Sequence, residues 1–340
     1  MTPGRELEDI GGQHVHMPEL PIYSRDRVLN AVPEIVRNLK GKVVLVDFWD
    51  YTCVNCIRTF PYLKEWHARY KDMGLVILGV HSPEFSFEKQ PGNLESAVKR
   101  FGLEYPIIAD NDFEIWQLFS NKYWPAKYLL DKDGILRTYH FGEGEYEEFE
   151  SFIQKLLLGR DPLLKLPLPM APLRDTDKPG AVCYRVTPET YIGFLRGHVG
   201  NEGGLAQHQV KRYVLPEKIN DDVLYLEGMW RSEPEFAQLV QGRGSIVISY
   251  QAADVNLVIH PEEGKPFKVY VEQDGIPLRK EDYGDDVRKE NGKAVIDVRA
   301  PRMYNIVKNK EFGRHQLEII SDSPSFRAYV FTFVTACRTL

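Results

Sequence analysis

The stretch Val43 to Pro61, VVLVDFWDYTCVNCIRTFP, most constrains what this chain can fold into. Four consecutive apolar β-formers, Val43 to Val46, run into a short turn, and a helical pattern opens at Cys53. Cys53 and Cys56 form a C-x-x-C. At that spacing the first sulfur stands at the helix N-terminus and the second lies one turn in, within reach of it. The unpaired N–H groups and the positive dipole end of a helix favour a thiolate over a thiol. The expectation is a lowered pKa at Cys53, which makes it a nucleophile, with Cys56 as the resolving thiol. A structural disulfide and half of a zinc site are the competing uses of such a pair. A zinc site needs further ligands, and no second C-x-x-C or paired histidines stand at a suitable spacing. No metal and no bound cofactor are therefore expected; the reactive element is the Cys53–Cys56 dithiol/disulfide itself.

Asp47 interrupts the apolar strand six residues before Cys53. A carboxylate there is costly unless it has a task or a partner. Desolvation raises such a group's pKa and suits it to shuttle a proton. Phe48 and Trp49 follow it, Pro61 falls five residues after Cys56, and Trp124-Pro125 precedes a strand-like run, Ala126 to Leu130. Together these residues resemble the thioredoxin superfamily over about the first 160 positions. The resemblance implies that Asp47 relays the proton of the resolving thiol and that Pro61 kinks the active-site helix. It also implies that Pro125 is a cis-proline facing the two cysteines, where an extended substrate peptide pairs with the backbone of Trp124. Trp49 and Trp124 are read as an aromatic rim for substrate, with a core position as the bland alternative for each. Val54-Asn55 stands where thioredoxins have Gly-Pro, a dipeptide that tunes redox poise.

A narrower resemblance rests on DFWDYTCVNCIRTFPYL, GVHSPEFSFEK, Tyr123-Trp124-Pro125-Ala126 and Phe141-Gly142-Glu143-Gly144. These are similar to the soluble C-terminal part of DipZ-type thiol:disulfide proteins. Thr187-Pro188-Glu189-Thr190-Tyr191-Ile192-Gly193 resembles the start of that family's carbohydrate-binding-module-like domain. The implied activity is thiol:disulfide exchange on protein dithiol or disulfide substrates. An electron donor is implied too, a membrane thiol transporter being one candidate, and a carbohydrate is a candidate ligand of the β domain. DipZ-type proteins usually begin with membrane-spanning helices, and this sequence departs from them there. Peroxiredoxins, the enzymatic alternative, need Thr three residues and Pro seven residues before the reactive cysteine. Asp50 and Val46 hold those positions and argue against that reading. From another class, the chain reads as a carbohydrate- or protein-binding module with an accessory redox domain.

At 340 residues the chain holds two ordinary domains. Lys and Arg number 43 against 49 Asp and Glu, for a net charge of −6, which argues against nucleic-acid binding. No apolar run is long enough for a membrane span, and MTPGRELEDIGGQ lacks the apolar core of a leader peptide. The bare sequence points to the cytoplasm and the resemblance to an extracytoplasmic site. A catalytic disulfide cycles in either compartment, so the four cysteines leave the question open.

Residues 1–160 are expected to form the α/β thioredoxin-like (redoxin/TlpA-type) domain. Asn93 is read as the N-cap of a helix through Phe101, and Gly159 as the end of the closing helix. His81 and Glu84 fall in the loop after the second strand, where sites gather; Glu84 is the substrate-side candidate, and a solvated loop is the bland reading for both. Residues 161–180 carry Pro162, Pro167, Pro169, Pro172 and Pro179 between leucines, and read as an extended connector packed on something. Residues 181–340 show short β-rich runs at turn spacing and almost no helical periodicity, the pattern of an all-β sandwich or jelly roll. Cys183 and Cys337 lie near its two ends, so a disulfide and two buried thiols both stay open. Trp230, Tyr225, Tyr250 and Tyr270 are the aromatic candidates for a sugar platform, or else core.

Overall fold

Val43–Trp49 is buried at every position, as a strand must be when both faces of its sheet are covered. The structure, a computed structural model, describes residues 15–21, 24–262 and 265–338; the N-terminal tract read for a leader lies outside them. The chain divides into two units, Met1–Gly180 and Ala181–Leu340. The first runs β1 (Val28–Leu29), α1 (Pro33–Arg37), β2 (Val43–Trp49), α2 (Val54–Tyr70), β3 (Leu75–His81), α3 (Pro91–Phe101), β4 (Ile107–Ala109), α4 (Glu114–Leu118), β5 (Ala126–Leu130), β6 (Leu136–Phe141) and α5 (Tyr146–Arg160). Its strands form one sheet in the order β1-β4-β3-β2-β5-β6.

That order positions the site. β2 and β3 are parallel, with Trp49 opposite His81. β5 is antiparallel to β2, with Phe48 opposite Ala126. The chain therefore leaves β2 and β3, and enters β5, at the same edge of the sheet. This brings the Asp50–Cys53 turn, the loop after His81 and the Trp124-Pro125 turn to one place.

Two helix ends differ from their expected positions. α3 is capped by Gln90, and Pro91 takes the first helical position. Proline's fixed φ suits that position, where its missing N–H costs nothing. α5 runs through Gly159 to Arg160, whose guanidinium bonds the Gly41 and Met73 carbonyls. That anchor offsets the roughly 1 kcal/mol a helical glycine costs.

The proline-rich tract belongs to the first unit. Arg69 on α2 donates to the Leu168 carbonyl, and Gln154 on α5 to that of Pro167. The Tyr62 hydroxyl donates to Asp177 and accepts from the Leu173 amide. Polar groups on the two helices thus satisfy backbone that proline prevents from pairing with itself.

The second unit runs β7 (Val182–Cys183), β8 (Thr190–Tyr191), β9 (Val210–Tyr213), β10 (Leu224–Ser232), β11 (Ala237–His260), β12 (Phe267–Gln273), β13 (Ile276–Pro277), β14 (Arg288–Glu290), β15 (Lys293–Val298), β16 (Arg302–Ser321), β17 (Arg327–Val334) and β18 (Cys337–Arg338). Its main sheet is antiparallel. Runs that read as separate strands in the sequence are joined: Ser245–Gln251 and Asp254–His260 both lie in β11. The β11–β16 ladder carries a register shift between Ala252 and Asp254, the kind of bulge that bends a long strand. β17 pairs with both the start and the end of β11, so the sheet folds back over a single core. Trp230, Tyr225 and Tyr250 are buried in that fold, which removes them as a sugar platform. Tyr270 is half-buried with the Lys293 ammonium 4.9 Å from its ring centre.

Cys183 and Cys337 are bonded in a disulfide. They are directly opposed in the β7–β18 pair, and Cys183 is exposed, so the reading of two buried free thiols is corrected. Among the described residues no helix is long and apolar enough to cross a membrane.

Candidate active site

α2 begins where its first sulfur can act as a cap. Cys53 is extended (φ −77°, ψ 110°), and its Sγ accepts the Cys56 amide at 3.2 Å. The Ile57 amide bonds the Cys53 carbonyl, and the Thr59 hydroxyl the Cys56 carbonyl. Both cysteines are free thiols, Cys53 half-buried and Cys56 fully buried. Pro61 lies inside α2.

The expected lowering of the Cys53 pKa is outweighed. Burial pushes its thiol up, and the nearby Asp50 and Glu84 carboxylates push the same way. The Cys56 amide at the helix start acts in the opposite sense. Cys56 is held well above the usual thiol value, first by burial and then by its hydrogen bond to Cys53. The half-buried Cys53 sulfur is thus the more easily ionised of the two, and the inner one needs a base.

Asp47 is fully buried, and neither carboxylate oxygen has a hydrogen-bond partner among the described residues. Burial pushes it up to about 7, against the pull of Lys127. Lys127 is its cross-strand partner on β5, 1 % exposed, with its ammonium 4.0 Å from Asp47 Oδ1. Burial likewise lowers Lys127. Desolvation disfavours both charges, and their mutual attraction only partly offsets it. Burial pushes the Tyr105 phenol well up, and charge on Asp47 and Cys56 acts in the same sense. Gly79 opposes Asp47 on β3; a Cβ there would come within 2.6 Å of Ile107 and 3.0 Å of the Trp49 indole nitrogen. The sequence reading missed Lys127. Its signal was a lysine inside the apolar run AKYLL.

The remaining candidates separate. The Trp124–Pro125 peptide is cis, with Pro125 buried and Trp124 half-buried. The Trp124 indole donates to the Ser82 carbonyl at 3.0 Å and packs on Trp116 at 4.4 Å. Trp49 is fully buried against Phe60 and His81; its rim reading is corrected to core, because β2 is covered there on every side. Glu84 is half-buried, and its amide donates to both Asp50 Oδ2 and Glu88 Oε2 at 2.8 Å. His81 is fully buried at the end of β3, stacked on Tyr51 at 5.3 Å, so the solvated-loop reading fails for it.

Two family profiles cover most of the chain: AhpC/TSA family over residues 33–139, and thioredoxin like C-terminal domain over residues 187–333. The thiol-disulfide oxidoreductase ResA of Bacillus cereus is 30% identical over 121 residues, which are 36% of this chain and 67% of ResA. Protein DipZ of Mycobacterium bovis is 38% identical over 247 residues, 72% of this chain and 34% of DipZ. A solved thioredoxin-like protein in the oxidized form is 26% identical, covering 42% of this chain and 97% of its own, with a TM-score of 0.38. The chain belongs to the thioredoxin-like thiol:disulfide oxidoreductase family. Within it the chain is a homologue of DipZ, and spans about a third of the length of the DipZ proteins it matches.

Proposed function

We propose that this chain is a thiol:disulfide oxidoreductase that reduces protein disulfides through Cys53 and Cys56. The observation that carries the reading is the layering of the site. A half-exposed sulfur caps a helix, a buried sulfur lies one turn in, and a buried carboxyl poised near pH 7 sits on the adjoining strand.

The Cys53 thiolate attacks a substrate disulfide, forming a mixed disulfide and releasing one substrate thiolate. Asp47 accepts the Cys56 proton. The Cys56 thiolate then attacks Cys53 Sγ, forming the Cys53–Cys56 disulfide and releasing the second substrate thiolate. Two electrons pass to the substrate, and an external dithiol donor restores the pair. Lys127 holds Asp47 ionisable in its buried pocket. Trp124 and Pro125 flank the approach of an extended substrate segment, and Glu84 adds negative charge beside Cys53.

The test is a titration of the pair in glutathione redox buffers, with insulin reduction measured in parallel. A reversible two-electron couple near the thioredoxin value of about −270 mV is expected, with turnover lost on alkylation of Cys53. A potential near about −120 mV, as in DsbA, would reverse the direction to oxidation of folding proteins. The absence of any such couple would overturn the proposal.

A further inference from the structure

Beside the cysteine pair lies a second cluster that thiol chemistry does not use. Asp50, at the end of β2, His81, at the end of β3, and Glu88, in the loop before α3, are each buried, and each directs one donor atom to within 4.8 Å of the other two. We propose that Asp50, His81 and Glu88 bind a divalent transition-metal ion of the zinc class.

Three observations carry this. First, His81 is fully buried and neither ring nitrogen has a hydrogen-bond partner among the described residues. A buried imidazole without partners is costly, and an ion between it and the carboxylates supplies the missing one. A proton shared by the two acids would leave His81 as it is.

Second, the two carboxylates are held as a pair. The Thr52 hydroxyl lies between them, 2.8 Å from Asp50 Oδ1 and 2.7 Å from Glu88 Oε1, and gives its single proton to one of the two at a time. The Glu84 amide is shared between Asp50 Oδ2 and Glu88 Oε2. Such outer contacts fix ligand orientation, and Asp50 Oδ2 and Glu88 Oε1, with one hydrogen-bond contact each, keep a lone pair for an ion.

Third, the charges balance. Among the described residues neither Asp50 nor Glu88 forms an ion pair, and the only charged group acting on His81 is Asp50. Two carboxylates and a neutral imidazole match a 2+ ion. One nitrogen and two oxygens suit zinc-class ions better than calcium or magnesium, which prefer oxygen alone. Ligand bonds of about 2.0–2.2 Å need only a modest inward shift from the present spacing.

The test uses the full chain carrying Cys53→Ser and Cys56→Ser, so that no free thiol competes. Zinc is titrated by calorimetry, and cobalt(II) by absorption. One ion per chain is expected, with cobalt d–d bands and no sulfur-to-metal charge-transfer band. His81→Asn and Glu88→Gln, in that same background and checked for folding by circular dichroism, should each weaken binding at least about 10-fold. Glu88→Gln keeps the size of the side chain and serves where His81→Asn fails to fold. No binding to the serine variant, or binding indifferent to Glu88→Gln, overturns the proposal.

Discussion

The molecule carries two cysteine pairs that share an element and little else. Cys53 and Cys56 are three residues apart at a helix start, free, with the inner thiol fully buried. Cys183 and Cys337 are 154 residues apart, bonded, and directly opposed on two short strands. In the first unit the helix end and a buried acid give each sulfur its own environment, so the two sulfurs can differ in reactivity. In the second the backbone ladder holds both sulfurs in one register, and the bond closes a loop of nearly the whole unit. One pair is arranged to change state during a reaction and the other to hold a fold.

The largest effect should come from the reactive pair. Cys53→Ser should bring insulin reduction to the uncatalysed level. Cys56→Ser should instead accumulate a mixed disulfide with substrate, visible by mass spectrometry. Equal loss without a trapped species in Cys56→Ser would reverse the assigned order of the two sulfurs.

Cys183→Ala with Cys337→Ala tests the other side of the comparison. For a closed loop of this length the cost is about 2–5 kcal/mol, read as an earlier urea midpoint for the β unit. Turnover by the first unit should stay within about twofold. A matching loss of turnover would show that the pairs are not separate in function.

Asp47 should give a smaller, pH-dependent effect. Its carboxyl accepts a proton only when ionised, so resolution of the mixed disulfide should rise through pH 7. Asp47→Asn should slow that step about 10²-fold and flatten the rise. Lys127→Met removes the cation that favours ionisation, so the rise should move up by about 1–3 pH units. The linkage has a definite sign. The folded state holds the Asp47 proton more tightly than the 3.8 of a free carboxyl, so stability falls as pH rises from there to about 7. Asp47→Asn should remove that slope in urea melts taken across the window.

The smallest effect is expected at Glu84, whose carboxylate acts on Cys53 less than that of Asp50 does. Glu84→Gln removes a negative charge and should speed iodoacetamide alkylation of Cys53 about twofold at low salt. Slower alkylation would contradict the assigned direction.

Most of the redox centre was legible because it is local. The apolar run of β2, the C-x-x-C and the helix behind it lie within nineteen residues, Val43 to Pro61, and local periodicity encodes such elements directly. The strand-rich character of the second unit was legible for the same reason. The joining of its runs into β11 and β16 was not, because a bulge and a turn leave similar marks in a sequence.

The sequence by itself determined which residues could do chemistry: a helix-capping thiol, an inner thiol, and an acid in an apolar strand. Tertiary structure decided what those residues are. Lys127 faces Asp47 only through the β2–β5 register, eighty positions along the chain. Asp50, His81 and Glu88 meet only where two strand ends and a loop converge. Cys183 finds Cys337 only because first and last strands pair. Burial and cross-strand distance set charge, pKa and bonding, and both arise from contacts between distant segments that no local pattern records.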